Sequence, residues 1–514
     1  MLTIAITIII WLASIPAMAA TYWVAPTGAA AWGSCSGSTP LTGGNACSPA
    51  TAFANAVAGD VVYFRGGTYT SPQRNTGDSY TSYYMPSHSG TVDSWITFQA
   101  YTGETPVFDG TSGGTADLYG TNGYIGCKVM GVSGKEYIIL DGFTITCDGG
   151  TKMGGMTVGS SGGGNTPGPY LTNYVIIRNC TINGGTTVNT GTDNADGIRL
   201  NSVGHATIKN NVIYNFLQST NVANTAATKA YHTAYTVYEG NYIYNSSTGI
   251  YDKSDGWYNI YRYNFIRNVY EAIHIPTNSY RQLYGQVYHN IIVNSGGNGI
   301  LITSETSAVP YISTDWEVHH NTIYSATAAT GHPIVIVWQG NTPLAMTGYS
   351  VHNNIVAQAG LAYYGSNVRI QVDLTAGFVE TGLGLDYNNY GANGEVVFRD
   401  AGAWYDYTTL AALKAAAAYN LASGSHDQHS IAAAPVFTNA SGNYLYPSDF
   451  LLASGSPGEN AGSDGNDMGA NVSLVWYPTI AVTWWRVAQD PVTRISTVDP
   501  VARAAQSSRP AKSF

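Results

Sequence analysis

The chain has 514 residues, of which only 10% are charged, with a net charge of −10, 59 glycines and 39 tyrosines. Sparse, net-negative charge without any Lys/Arg run excludes nucleic-acid binding, because phosphate neutralisation needs a basic stripe. So much Gly and Tyr suits turns and hydrogen-bonding strand surfaces better than soluble helices.

Residues 1–19 are an apolar run from Leu2 to Ile15, followed by Pro16 and the small-residue site Ala17-Met18-Ala19. This reads as a secretory signal cleaved before Ala20, which predicts an extracellular protein, with the periplasm as the second destination. The apolar stretch is shorter than the ~20 residues of a membrane span, and no later segment resembles one, so no membrane attachment is expected after signal removal. Five cysteines suit an oxidising compartment. Cys35 and Cys47, in a Gly/Ser-rich loop, are the expected disulfide; Cys127, Cys147 and Cys180 cannot all pair, which leaves one buried thiol.

From about residue 175 to 390 one short pattern recurs: IIRNCTIN, IKNNVIYN, YEGNYIYN, YRYNFIRN, VYHNIIVN, VHHNTIYS and VHNNIVAQ. Its key asparagines are Asn179, Asn211, Asn241, Asn264, Asn290, Asn321 and Asn354, at intervals of 23–33 residues, which is a repeat with loop insertions. Each unit is a short strand of period two, and strands so spaced stack in parallel. Asn at a fixed turn position tolerates left-handed angles and bonds to the Asn of the next coil. Ile177, Ile208, Val237, Ile260, Val287, Val318 and Val351 are expected as an internal apolar ladder. A second strand follows in DGIRL, TGIYD, EAIHI, NGILI and HPIVI. It stacks Ile198, Ile250, Ile273, Ile300 and Ile334 inside and turns Arg199, Tyr251, His274, Leu301 and Val335 outward.

The stretches TYWVAPTGAA, SPATAFANAVAGDVVYFRGGTYT, WITFQAYTGETPVFDG and IILDGFTIT look like the cap and first coils of a known group. TTLAALKAAAAYNLASGSHDQHSI, APVF, DFLLASGSP and NDMGA look like its closing helix and coils. Together with the repeat, they make the chain resemble the pectate-lyase-like superfamily over nearly all of its mature length. The implied fold is all-β: a single right-handed parallel β-helix solenoid with an N-terminal cap and a short C-terminal helix. The expected organisation is signal peptide 1–19, cap 20–60, β-helix 61–400, C-terminal helix and closing coils 401–472, and a tail 473–514 containing Trp484 and Trp485 that is either a C-terminal cap or a partly disordered extension. The superfamily spans lyases, hydrolases, epimerases and inactive members, so the resemblance specifies fold more than chemistry.

The densest polar group falls on four successive coils: Asp193, Asp196 and Arg199; Lys229 and His232; Asp252, Lys253 and Asp255; Glu271 and His274. In register they span about 15 Å, a few sugar units. The function this points to is a polysaccharide lyase acting on an extracellular, uronate-containing polymer by β-elimination, as a monomer. Elimination needs the carboxylate neutralised, a base for the ring proton and an acid for the leaving oxygen. The resemblance implies Ca²⁺ or Arg for the first task and Lys or Arg for the second. The expected roles are Lys253 as base, Arg199 as carboxylate partner and His274 as auxiliary acid. Asp193, Asp196 and Glu271 are expected as a Ca²⁺ group or a carboxylate pair, and Lys229, His232, Tyr251, Trp257, Asp252 and Asp255 as substrate contacts. The structural alternative pairs Lys253 with Asp252 or Asp255 and stacks His274 on Tyr251. The functional alternatives are a non-catalytic polysaccharide-binding or adhesion protein, for which the Tyr residues between 235 and 270 would supply a sugar-stacking platform, and a glycoside hydrolase. His289, His319, His320 and His352 are expected as stacked outward imidazoles, not metal ligands.

Overall fold

The computed structural model describes residues 20–70, 82–110, 128–147, 154–159, 170–186, 188, 195–219, 225–277, 280–304, 313–325, 331–338, 348–357, 362–363, 366–367, 370–374, 383–393, 396–400, 403–407, 409–415, 427–439 and 442–478. The signal segment, Cys127, Asp193, Trp484 and Trp485 lie outside the described residues.

One turn of the solenoid has three short faces. Thr207–Lys209, Val212–Tyr214 and Ala226–Ala234 make such a turn. Each pairs in parallel with its counterpart one coil on: Val237–Glu239, and the two ends of Tyr242–Trp257. Coil on coil, this is a right-handed parallel β-helix. The cap is continuous with it, because Thr21–Val24 already pairs in parallel with Val61–Phe64. Helix Pro49–Asn55, capped by Ser48, closes that end by setting Phe53 on Phe98 with ring centres 4.3 Å apart. At the far end an antiparallel pair, Val396–Asp400 with Ala403–Tyr407, breaks the parallel order, and the short helix Leu410–Ala415 buries Leu413.

The second-strand register is the expected one. Ile198, Ile250, Ile273, Ile300 and Ile334 point inward, with Thr228 filling the coil that the sequence alignment passed over. The first-strand ladder needs correcting in two coils. Tyr238 and Tyr261, not Val237 and Ile260, occupy the interior between Ile208 and Val287. Tyr261 brings a hydroxyl inside, and Asp252 on the facing strand accepts it at 2.7 Å.

The Asn ladder runs Asn211, Asn241, Asn264, Asn290, Asn321, Asn354, Asn388. Each Nδ2 donates to the next Oδ1 at 2.9–3.0 Å and to a backbone carbonyl. Each Oδ1 also accepts the backbone N–H of the preceding rung, so these buried amides are satisfied. Asn179 is not a rung: Cys180 takes that place, its N–H donating to Asn211 Oδ1, while Asn179 donates to Asp141. Nor are the rungs left-handed. The positive φ falls on the residue before each rung, as at Asn210 (53°), Tyr263 (57°), His289 (52°) and His320 (51°), and on the outer asparagines four positions later, Asn215, Asn245, Asn268 and Asn294.

Two further expectations change. Cys35 and Cys47 are buried free thiols rather than a bridge, Cys35 Sγ donating to Trp32 O at 3.2 Å and Cys47 Sγ to Trp23 O at 3.3 Å. Cys147 and Cys180 are buried thiols as well. The chain also does not end its packing at 472. From Asp427 it runs back along the coils, with Gly469 N–H on Asn353 O and Ala470 N–H on Thr322 Oγ1, and it sets Tyr477 against Tyr242 at 4.9 Å. This return strap covers a second apolar cluster that includes Phe265, Ile291, Phe437, Phe450 and Val475.

Candidate active site

Period-two alternation on the second strands sends every other side chain outward. In register, Arg199 faces Lys229, Lys229 faces Tyr251 and Tyr251 faces His274, while one position pair further on Asn201 faces Tyr231 and Tyr231 faces Lys253. This outward face is a recess and not open surface: Lys229 is 0% exposed, Arg199 5%, Tyr251 5% and Tyr231 8%. Lys253 is half-buried.

Three cations converge there on two rings. The Arg199 guanidinium lies 4.6 Å from the Tyr231 ring centre, and Lys253 Nζ is at the same distance from it. Lys229 Nζ is 4.9 Å from the Tyr251 ring and Lys253 Nζ is 5.3 Å from it. Desolvation makes such cation–ring contacts stronger than at an exposed site. Burial pulls the Lys229 ammonium down to about 8, with Lys253 and Arg199 adding to the effect against Tyr231 and Asp196. Burial alone would push the Tyr231 phenol up, but Lys229, Arg199 and Lys253 bring it down to about 8. Asn201, fully buried beside Tyr231, accepts from Arg199 Nε at 3.3 Å, while its Nδ2 has no partner among the described residues. A buried donor left unmatched is a feature that calls for an explanation.

Of the expected catalytic residues, Arg199 and Lys253 meet in this recess. His274 stands one coil beyond, stacked on Tyr251 at 4.8 Å and bonded to Glu271 at 2.8 Å. Burial would raise the Glu271 carboxyl, but His274 beside it and Asn298 hold it below the usual range. The expected calcium group is not assembled by the described residues. Asp196 is paired with Arg199 at 2.9 Å, Glu271 with His274, and no cluster of three metal-ligating side chains occurs among them.

Among the expected substrate contacts, Lys229 and Tyr251 line the recess. Asp252 does not. Alternation sends it to the interior, where Tyr261, Thr233 and Asn259 donate to it, so it cannot pair with the outward Lys253. Burial pushes its carboxyl up to about 6 against those three donors. The strand bulges after Lys253, Tyr231 being matched to Lys253 but Thr233 to Gly256, and Ser254 takes φ 77°. Beyond this bulge Asp255 binds Arg281 at 3.3 Å, and Arg281 covers the Trp257 ring at 4.3 Å, a separate cluster. His232 is a buried, left-handed corner residue (φ 53°) against Tyr280.

Tyr231 is the recess residue that the sequence alignment missed. Its strand, ATKAYHTA, carries Thr228 where its neighbours carry Ile, so it did not align with them, although the Lys229, Tyr231, Thr233 alternation was there to see.

Of the tyrosines between 235 and 270, Tyr238, Tyr242, Tyr251 and Tyr261 are buried, whereas Tyr235, Tyr258 and Tyr270 are exposed. Tyr137, Tyr174, His205, Tyr235, Tyr258 and Tyr284 lie ring on ring, 4.6–5.0 Å apart, at left-handed corner positions. Of the four imidazoles, His319 stacks between Tyr288 (4.9 Å) and His352 (5.1 Å) and His289 on Tyr263, whereas the buried His320 meets the others tilted or edge-on, and the return strap covers part of the group. Asp464 approaches His320 at 3.4 Å, and Asn471 N–H donates to His289 Nδ1 at 3.1 Å.

The solenoid, its Asn ladder and its capped ends define the chain as a right-handed parallel β-helix of the pectate-lyase-like fold. No family model matches the sequence, and no curated protein is similar to it. Among solved structures it is similar to the pectate lyase Pel9A, with a TM-score of 0.51 at 15% identity over 87% of this chain and 95% of that one. Looser likenesses include a complex of XylC with xylose (TM-score 0.39, 12% identity, 74% of this chain and 84% of that one) and a rhamnogalacturonan lyase (TM-score 0.38, 13% identity, 80% and 87%). At these identities the likeness is one of fold. No helix among the described residues is long and apolar enough to cross a membrane.

Proposed function

We propose that this chain is a secreted polysaccharide lyase whose second-strand recess takes a uronate unit of an acidic polysaccharide and cleaves the adjoining glycosidic bond by β-elimination. The observation that carries this reading is the convergence of Arg199, Lys229 and Lys253, from three successive coils, on one recess beside the unmatched Asn201 Nδ2. Fixed cations already held in place can stabilise the carboxylate as its charge delocalises in the transition state, without reorganising during the reaction. Arg199, held at Nη1 by Asp196 and at Nε by Asn201, would meet the carboxylate through Nη2. Lys253, the most exposed of the three cations, is the proposed base. His274, tied to Glu271 and Tyr251, borders the recess at the next subsite. The likeness to Pel9A supports a fold able to carry this chemistry.

The test is ultraviolet absorbance of the unsaturated uronate product on pectate, alginate and glycosaminoglycans, with and without Ca²⁺, comparing wild type with Lys253→Ala. Product formation that is lost in the variant is expected. Polymer retention without product on any substrate would make the chain a binding protein, and release of reducing ends without unsaturation would make it a glycoside hydrolase.

A further inference from the structure

Tyr231 has a position that packing alone does not account for. It pairs directly with Lys253 across adjacent coils, and Lys253 Nζ lies 4.6 Å from its ring centre. Arg199 lies over the ring, and the fully buried Lys229 is 5.8 Å from the ring centre. The charged and titratable groups facing this phenol are therefore Arg199, Lys229 and Lys253, with Asp196 behind Arg199 and Tyr251 behind both lysines.

We propose that Tyr231 and Lys253 act as one proton-relay pair, Tyr231 serving the leaving oxygen and Lys253 the ring carbon, with Lys229 as the residue that positions the pair's shared proton electrostatically. This rests on the β-elimination reading of the same recess. The neutral Lys253 amine takes the proton from the carbon bearing the uronate carboxylate. The electron pair left behind becomes the new carbon–carbon double bond as the glycosidic carbon–oxygen bond breaks. The departing oxygen takes the Tyr231 hydroxyl proton, and the Lys253 ammonium returns its proton to the neighbouring phenolate. One proton has moved from carbon to oxygen and both residues are reset. Ammonium with phenolate and amine with phenol are two placements of one proton in a coupled pair. The surrounding cations bring the Tyr231 phenol down to about 8, close to the pH at which a general acid–base group works best.

Tyr231→Phe separates this role from packing, because it keeps the ring and its cation contacts and removes only the oxygen. The relay predicts a fall in kcat of at least about a hundredfold, with KM within about threefold of wild type. Lys229→Met should move the rising limb of the pH profile of kcat/KM to higher pH, since one cation fewer raises the pair's ionisation. A tyrosinate ultraviolet difference titration of the full chain should show one early-ionising tyrosine that is missing from Tyr231→Phe. An active wild type with Tyr231→Phe equally active overturns the relay and leaves the lyase reading intact. An early-ionising tyrosine that survives in Tyr231→Phe also overturns the relay. Wild type that forms no unsaturated product on any polymer overturns the lyase reading itself, and the relay with it.

Discussion

Tyr261 donates its hydroxyl to Asp252 at 2.7 Å inside the coil, and both residues are fully buried. Thr233 and Asn259 complete the carboxylate's partners. Removing the strongest donor with Tyr261→Phe leaves a buried charge under-bonded and should cost about 1–3 kcal/mol, read by chemical denaturation. The pH dependence has a definite sign. The Asp252 carboxyl is raised to about 6 in the folded chain, so between its ordinary value and that pH the folded state holds the proton more tightly and this group's contribution to stability falls as pH rises. Asp252→Asn should remove that slope.

Arg199 and Asp196 form a buried pair at 2.9 Å, with side chains 6% and 0% exposed. Arg199→Ala strands the carboxylate and should destabilise by about 3–5 kcal/mol, whereas adding Asp196→Asn should recover most of that loss. A double-mutant cycle in denaturant measures the coupling. Near-additive losses would show that the pair is not acting as a unit.

The inner Asn ladder and the outer asparagines differ in burial, and their substitutions should differ accordingly. Asn264→Ala removes bonds to Asn290 and to Tyr238 O and leaves Asn241 N–H unmatched, a loss of about 3 kcal/mol. Asn245 is exposed and left-handed (φ 50°), so Asn245→Gly should change stability by less than about 0.5 kcal/mol. Thermal unfolding of the two variants side by side checks this.

His289, His319, His320 and His352 form an acid-sensitive seam beneath the return strap. Burial lowers all four, His289 to about 4 and His319 to about 3, with mutual repulsion contributing for His289, His319 and His352. Asp464 opposes the shift, joined at His352 by Glu317 and Asp386. The unfolded chain takes protons first as pH falls below about 6.5, so stability present above that pH is lost on the way down to the folded values. Protonated His289 Nδ1 can no longer accept the Asn471 N–H. Hydrogen exchange of residues 442–478 should therefore accelerate on acidification before that of the coil strands, and His319→Leu should weaken the dependence.

The sequence by itself determined the parallel β-helix, the existence of the Asn ladder, and which side of the second strand Arg199, Tyr251, Lys253 and His274 occupy. All three follow from local rules: a coil-length repeat, period-two alternation, and amides spaced to meet their copies one turn away. Tertiary structure decided the rest. Whether Ile260 or Tyr261 faces inward depends on a one-residue register choice, and the pull of Asp252 on a buried hydroxyl is invisible from either strand alone. Asp252 and Lys253 are neighbours in sequence, yet the pleat sends one into the core and the other into the recess. Tyr231 becomes a candidate proton carrier only because stacking brings cations from the coil before and the coil after against it. The strap from Asp427 to Pro478 crosses coils more than a hundred residues earlier in the chain, a distance over which no local pattern carries information.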